Sequence, residues 1–127
     1  MHTNKPKILH QELAFKIIGL AMQVHSKLGC GFLEKVYENS LMVAFRKANI
    51  SAVQQSPITV LFEEQEVGTY YADILVEEII ILEIKTVNEI SEAHKAQALN
   101  YLKATGLNLA IILNFANNRL EHRRIVL

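Results

Sequence analysis

The chain has a single cysteine, Cys30, no excess of either charge and no long apolar run. A lone cysteine cannot close an internal disulfide or hold a zinc ion or an iron–sulfur cluster by itself, and it suits a reducing cytoplasm. Thirteen basic residues balance thirteen acidic ones. The global positive field of an avid nucleic-acid binder is therefore missing, and any contact with a polyanion must be local. No apolar stretch approaches the roughly 18 residues of a membrane span, and the opening Met-His-Thr-Asn-Lys-Pro-Lys is polar rather than signal-like. Repeats, low-complexity tracts and linkers are also missing. Half the residues are hydrophobic, which excludes disorder. These limits predict one cytoplasmic domain over residues 1–127, with a flexible polar tail over residues 1–8.

What is present begins with helical spacing. Leu13, Ile17, Leu20, Val24 and Leu28 predict a first helix over about residues 9–28. A second stripe, Phe15, Ile18 and Met22, gives that helix two apolar faces, one for the core and one for a second copy of the chain, so a homodimer is expected there. Gly29-Cys30-Gly31 ends it. Tyr37, Leu41, Ala44 and Phe45 predict a second helix over 33–48. The period then changes to that of strands over 57–62, 68–76 and 79–87, split by acidic turns at 63–66 and 77–78. Ser91 caps a third helix reaching Thr105, which Gly106 terminates. Strands over 107–115 and 120–127 complete an α-α-β-β-β-α-β-β order, an α/β sandwich with a mixed sheet.

Chemistry enters through the strand over 79–87. Glu83 and Lys85 interrupt an otherwise apolar run, and burying either costs several kcal/mol unless it is paired or holds a metal. Alternation puts both on one face. Asp73 and Glu83, with the Ile84 carbonyl, make a hard oxygen set suited to magnesium or manganese. In phosphodiester cleavage such an ion lowers the pKa of a bound water, and Lys85 orients that water or neutralises charge at phosphorus. A plain salt bridge from Asp73 or Glu83 to Lys85 explains the same spacing equally well.

On the third helix His94, Gln97 and Tyr101 share one face, with Ala96, Leu99 and Leu102 opposite for packing on the sheet. The polar stripe either borders the site or is a solvated face. Glu34 is either a further carboxylate or a first-turn acid favoured by the helix dipole, and His25 suits a helix C-terminus. Arg119, Arg123 and Arg124, with His122, form the only basic cluster. They either hold phosphates or guard a final edge strand against aggregation.

These residues together resemble a known family. Asp73…Glu83-Ile84-Lys85 is similar to the PD-(D/E)xK nuclease motif, and Gln97-x-x-x-Tyr101 resembles the extra motif of its RecB-like branch. Gly31-Phe-Leu-Glu34-Lys-Val-Tyr37 resembles the GxxExxY motif of a family of small bacterial proteins in that superfamily. The likeness runs from about Ile17 to Val126. Two departures stand out: Cys30 where proline is expected, and Ala72 where the superfamily's proline precedes Asp73.

The resemblance implies a restriction-endonuclease-like αβββαβ core, a mixed sheet flanked by helices and an extra N-terminal helix. It implies Mg2+ (or Mn2+) and metal-dependent cleavage of nucleic acid, DNA before RNA. Glu34, Asp73, Glu83 and the Ile84 carbonyl would stand at the metal, Lys85 at the nucleophile, and Gln97 and Tyr101 near substrate. His94, Arg119, Arg123 and Arg124 would complete the substrate contacts. Two other functions fit the sequence: a non-catalytic interaction module or dimerisation subunit, and a metal-dependent enzyme acting on a small phosphorylated substrate. The nuclease reading makes one geometric demand. Opposed residues on antiparallel strands share a face, so Asp73 and Glu83 meet only across a three-residue loop, 77–79, or a bulge.

Overall fold

The structure, a computed structural model, describes residues 5–127, with side chains from His10 onward. Three helices and five strands follow in order: α1 (Lys5–Leu28), α2 (Glu34–Lys47), β1 (Ala52–Phe62), β2 (Gln65–Val76), β3 (Ile80–Lys85), α3 (Glu92–Thr105), β4 (Leu109–Asn114) and β5 (Glu121–Val126). The expected order stands. Helix α1 starts at Lys5 and so takes in residues 5–8 of the expected polar tail; residues 1–4 lie outside the described residues.

The strands form one sheet in the order β1-β2-β3-β4-β5. Only β3 and β4 run parallel; every other neighbouring pair is antiparallel. Parallel strands need a crossover, and α3 supplies it. Every residue of β4 is buried, as are Ile80 to Ile84 of β3, because helices cover both faces of the sheet's centre. Helices α1 and α2 pack on Ile80, Leu82, Ile84, Ile111 and Leu113. Ala98, Tyr101 and Leu102 of α3 pack on Ile81, Ala110 and Ile112 across the sheet.

Two helix faces differ from the sequence expectation. On α1 the fully covered stripe is Ala14, Ile17, Ala21 and Val24, with Leu13, Leu20 and Leu28 at its flanks. The small alanines let the helix backbone approach the core. Ile18 of the expected second stripe also joins that core, leaving Phe15 81 % and Met22 48 % exposed. On α3, Ala96 lies outward rather than on the sheet, because Tyr101 takes the inner face.

The β1–β2 connection is a two-residue hairpin loop, since Phe62 pairs with Gln65. Both loop residues, Glu63 and Glu64, have positive φ, 48° and 67°. That conformation suits Asn-Gly and penalises glutamate by about 1 kcal/mol or more per residue. The double variant Glu63→Asn, Glu64→Gly is therefore expected to stabilise the protein by about 1 kcal/mol, read as a raised urea midpoint with an unchanged slope. A lowered midpoint would show that the hairpin geometry is otherwise.

Farther down the hairpin both strands change face at one level. Ala52 and Gln54 lie on the α2 side, whereas Ile58, an even number of residues on, packs on the α3 side. Ile74 and Ala72 are likewise divided between the two cores. Between them Gln55 turns left-handed, with φ 52°, opposite Asp73. The ladder opens there.

Candidate active site

The loop joining β2 and β3 has the three residues that the carboxylates require. Val76 pairs with Ile80, Leu75 with Ile81 and Ile74 with Leu82, so the next facing pair is Asp73 and Glu83. Glu77 and Glu78 make this possible in left-handed conformations, φ 51° and 60°. At Asp73 the backbone ladder stops and the side chains replace it. The Asp73 N–H donates to Glu83 Oε2 at 3.2 Å, and the Ile84 N–H donates to Asp73 Oδ2 at 2.7 Å. Asp73 thus sits where the ladders on both sides of β2 are interrupted.

Burial governs the charge of this pair. Glu83 is only 5 % exposed. Burial, reinforced by the Asp73 carboxylate, pushes its pKa up from 4.5 to about 8, against the opposing pull of the Asp73 N–H and Lys85. Burial also raises Asp73; the Ile84 N–H pulls it back, and the negative charges of Glu38 and Glu34 push it further up. Two adjacent carboxyl groups that resist ionisation are a poor structural choice and a common functional one.

Helix α2 brings the other acids. Glu34, at its first turn, accepts the Thr86 N–H at 3.2 Å, tying the start of α2 to the end of β3 beside Lys85. It is more than a helix-start acid. One turn on, Glu38 is a residue the sequence reading missed. It is 3 % exposed and accepts from Gln54 Nε2 at 2.7 Å, Lys35 Nζ at 3.2 Å and Gln55 Nε2 at 3.3 Å. The i, i+4 spacing of Glu34 and Glu38 was the available signal. Glu38 thereby holds Gln55, the left-handed residue opposite Asp73. Tyr37 has a supporting role: stacked 4.4 Å from Phe115, it donates to the Gly29 carbonyl and fixes the loop that precedes α2.

Lys85 lies on the face of Glu83 but forms no ion pair among the described residues, so the simple salt-bridge explanation is not what the side chains do. Tyr101 is buried beside the acids: burial first, then the Glu83 and Asp73 carboxylates, raises its phenol pKa. Gln97 is exposed and lines a groove with Tyr101 and Tyr70. His94 is engaged elsewhere. Its Nδ1 accepts the Ser91 N–H at 3.0 Å while Ser91 Oγ accepts the His94 N–H, a reciprocal cap on α3.

The basic cluster is divided, with Arg119, His122 and Arg123 on one cleft and Arg124 apart from it. Arg123 pairs across β4 with Ile112 and Arg124 with Ile111, so the two point to opposite faces of the sheet. Arg123 is bound to Glu121 at 3.3 Å, and Arg119 borders a cleft with Met22 and His25 that does not include Asp73 or Glu83. His25 is structural, donating from Nε2 to the Asn117 carbonyl at 2.8 Å. Asn114, fully buried beside Lys85, was also missed. It bonds Val87 N–H, the Val87 carbonyl and Glu121, pinning the segment that leads from β3 to α3.

A divalent cation fits this donor set in kind. Asp73, Glu83 and the Ile84 carbonyl are hard oxygens, and the resisted ionisation of the acids is what a cation would relieve. No group of three or more His, Cys, Asp or Glu side chains already stands at metal-binding distance among the described residues. The two acids are instead spent on backbone N–H groups.

Comparison with known proteins supplies the remaining finding. Residues 11–125 match a family model described as PD-(D/E)XK nuclease superfamily. No curated protein matches the chain. Among solved structures, the crystal structure of SSO0001 is similar in fold, with a TM-score of 0.55 at 19 % identity over 72 % of this chain. The match covers 48 % of that chain, so this protein spans about half of its length.

Proposed function

The chain belongs to the PD-(D/E)XK nuclease superfamily, and from that membership we propose that it is a divalent-metal-dependent nuclease cleaving phosphodiester bonds of DNA or RNA. The observation that carries the reading is the facing pair Asp73 and Glu83, set where the β2 ladder opens and each held short of easy ionisation. Asp73, Glu83 and the Ile84 carbonyl would hold Mg2+ or Mn2+, with Glu34 at the edge of the site. When bound, such an ion polarises the phosphoryl oxygen and makes a water acidic enough to attack. Lys85, unpaired among the described residues, would orient the attacking water and offset negative charge developing at phosphorus. Gln97 and Tyr101, which line one groove, would border the substrate. The GxxExxY motif assigns Glu34 and Tyr37 unequal tasks, one at the acids and one in the loop beneath them.

The test couples calorimetry to cleavage. Magnesium or manganese titrated into wild type is expected to bind with release of protons, because groups held protonated must ionise to ligate. Labelled single- and double-stranded DNA and RNA are then offered with each metal and with chelator. Cleavage that requires the metal supports the reading. Metal binding without cleavage of any polynucleotide would sink it.

A further inference from the structure

Between the distal β1–β2 hairpin and α3 runs a groove of about 870 Å³, lined by both apolar and amide side chains. One wall carries the half-exposed ring of Tyr70, with the buried Tyr101 ring tilted against it at 5.7 Å and 42°. The facing helix presents Gln97 and Asn100, with Lys103 a turn farther on. We propose that this groove receives an unpaired base of a single-stranded nucleic acid next to the cleavage point, with Tyr70 as its stacking platform. The proposal rests on the nuclease reading and adds the substrate class.

Three observations favour a single strand. A ring steadied by contact with a second ring keeps an ordered face, and every base has a face to lay on it. A base within a duplex has both faces covered by its neighbours and shows only its edges, so it offers the Tyr70 ring nothing. Amides at Gln97 and Asn100 carry both donors and acceptors, which suits the edge of an unpaired base. The second observation is charge. The chain is neutral overall, and Arg119, His122 and Arg123 share a cleft that does not include the two acids, so a duplex backbone at the acids finds no continuous basic track. Stacking supplies affinity that charge does not. The third is continuity: Tyr101 belongs to the groove and also lies near enough to Glu83 and Asp73 to feel their charge.

The experiment measures binding in the Lys85→Ala background with Mg2+ present, using labelled single-stranded DNA, single-stranded RNA and blunt duplex. A single strand is expected to bind more tightly than the duplex. Tyr70→Ala should weaken single-strand binding about tenfold or more, Tyr70→Phe should retain it, and the loss should persist at raised salt because stacking releases no counterions. Ala96→Leu, at an exposed helix position that accepts leucine, partly fills the groove and should weaken the same binding without touching Tyr70. Whichever single strand binds better, DNA or RNA, identifies the source of the base. Equal binding of duplex and single strand, with both variants inert, overturns the groove's role. If wild type still cuts under those conditions the nuclease reading survives; if wild type neither binds nor cuts any polynucleotide, both fall.

Discussion

Lys85→Ala is expected to lower phosphodiester cleavage by about 10²–10³-fold or more while leaving metal affinity unchanged or higher. The magnitude is that of removing one preorganised charge from beside a developing anion. Its sign on metal binding follows from electrostatics: Lys85 pulls down the pKa of both Asp73 and Glu83, which places a positive charge beside any cation those acids hold. Removing it takes away that repulsion. Asp73→Ala should lose both properties, because it removes a ligand and also the acceptor of the Ile84 N–H. Single-turnover rates beside calorimetric titrations separate the two cases. Equal losses of affinity in both variants would show Lys85 to be part of the structural frame rather than of the chemistry.

The second large effect is on stability against pH. Glu83 has its pKa raised from 4.5 to about 8 in the folded protein. Between these values the unfolded chain has released a proton that the folded chain still holds. Stability contributed by protonated Glu83 is therefore complete below about pH 4.5 and is lost as the pH climbs toward 8, at about 1.4 kcal/mol per unit. Asp73, also raised, acts in the same direction. Metal-free wild type should thus weaken markedly from pH 5 to pH 8 in urea titrations. Glu83→Gln mimics the protonated form and should match wild type near pH 5 but exceed it at pH 8. Saturating Mg2+ should flatten the wild-type curve, since a cation favours the ionised carboxylates. Parallel curves for wild type and Glu83→Gln would mean that Glu83 ionises normally in the fold.

Much of this fold could be read from the chain because local signals agreed with tertiary ones. Ser91 and Gly106 cap α3 where expected, and Gly29, with φ 72°, follows α1. The acid pair was legible because strand parity is strict: once the apolar runs were placed, only an odd loop could bring Asp73 opposite Glu83. What escaped is equally specific. Glu38 and Asn114 are polar residues whose burial depends on partners 16 and 27 positions away, Gln54 and Val87. No short window of sequence contains those partners, although the i, i+4 spacing of Glu34 and Glu38 did put both acids on one helix face. The rotation of α3 was hidden because Tyr101 serves two purposes, covering the sheet and facing the acids, which moves Ala96 outward. The cap that the His94 ring closes with Ser91 was likewise not foreseen, since the stripe it shares with Gln97 and Tyr101 drew attention to the site.

The side chains that complete the ladder between β2 and β3 also change how the chain's history should be read. Asp73 and Glu83 accept the Ile84 and Asp73 N–H groups, so the sheet itself relies on them at its centre. A relative without nuclease chemistry would still need a hydrogen-bond acceptor at both positions, which an acid or an amide supplies. Their presence in a sequence therefore bears witness to the fold and to the chemistry at once, without separating them. Lys85 is different: nothing among the described residues pairs with its charge. Under the nuclease reading it would be free to drift once catalysis was no longer required, which would make that lysine the better marker of activity.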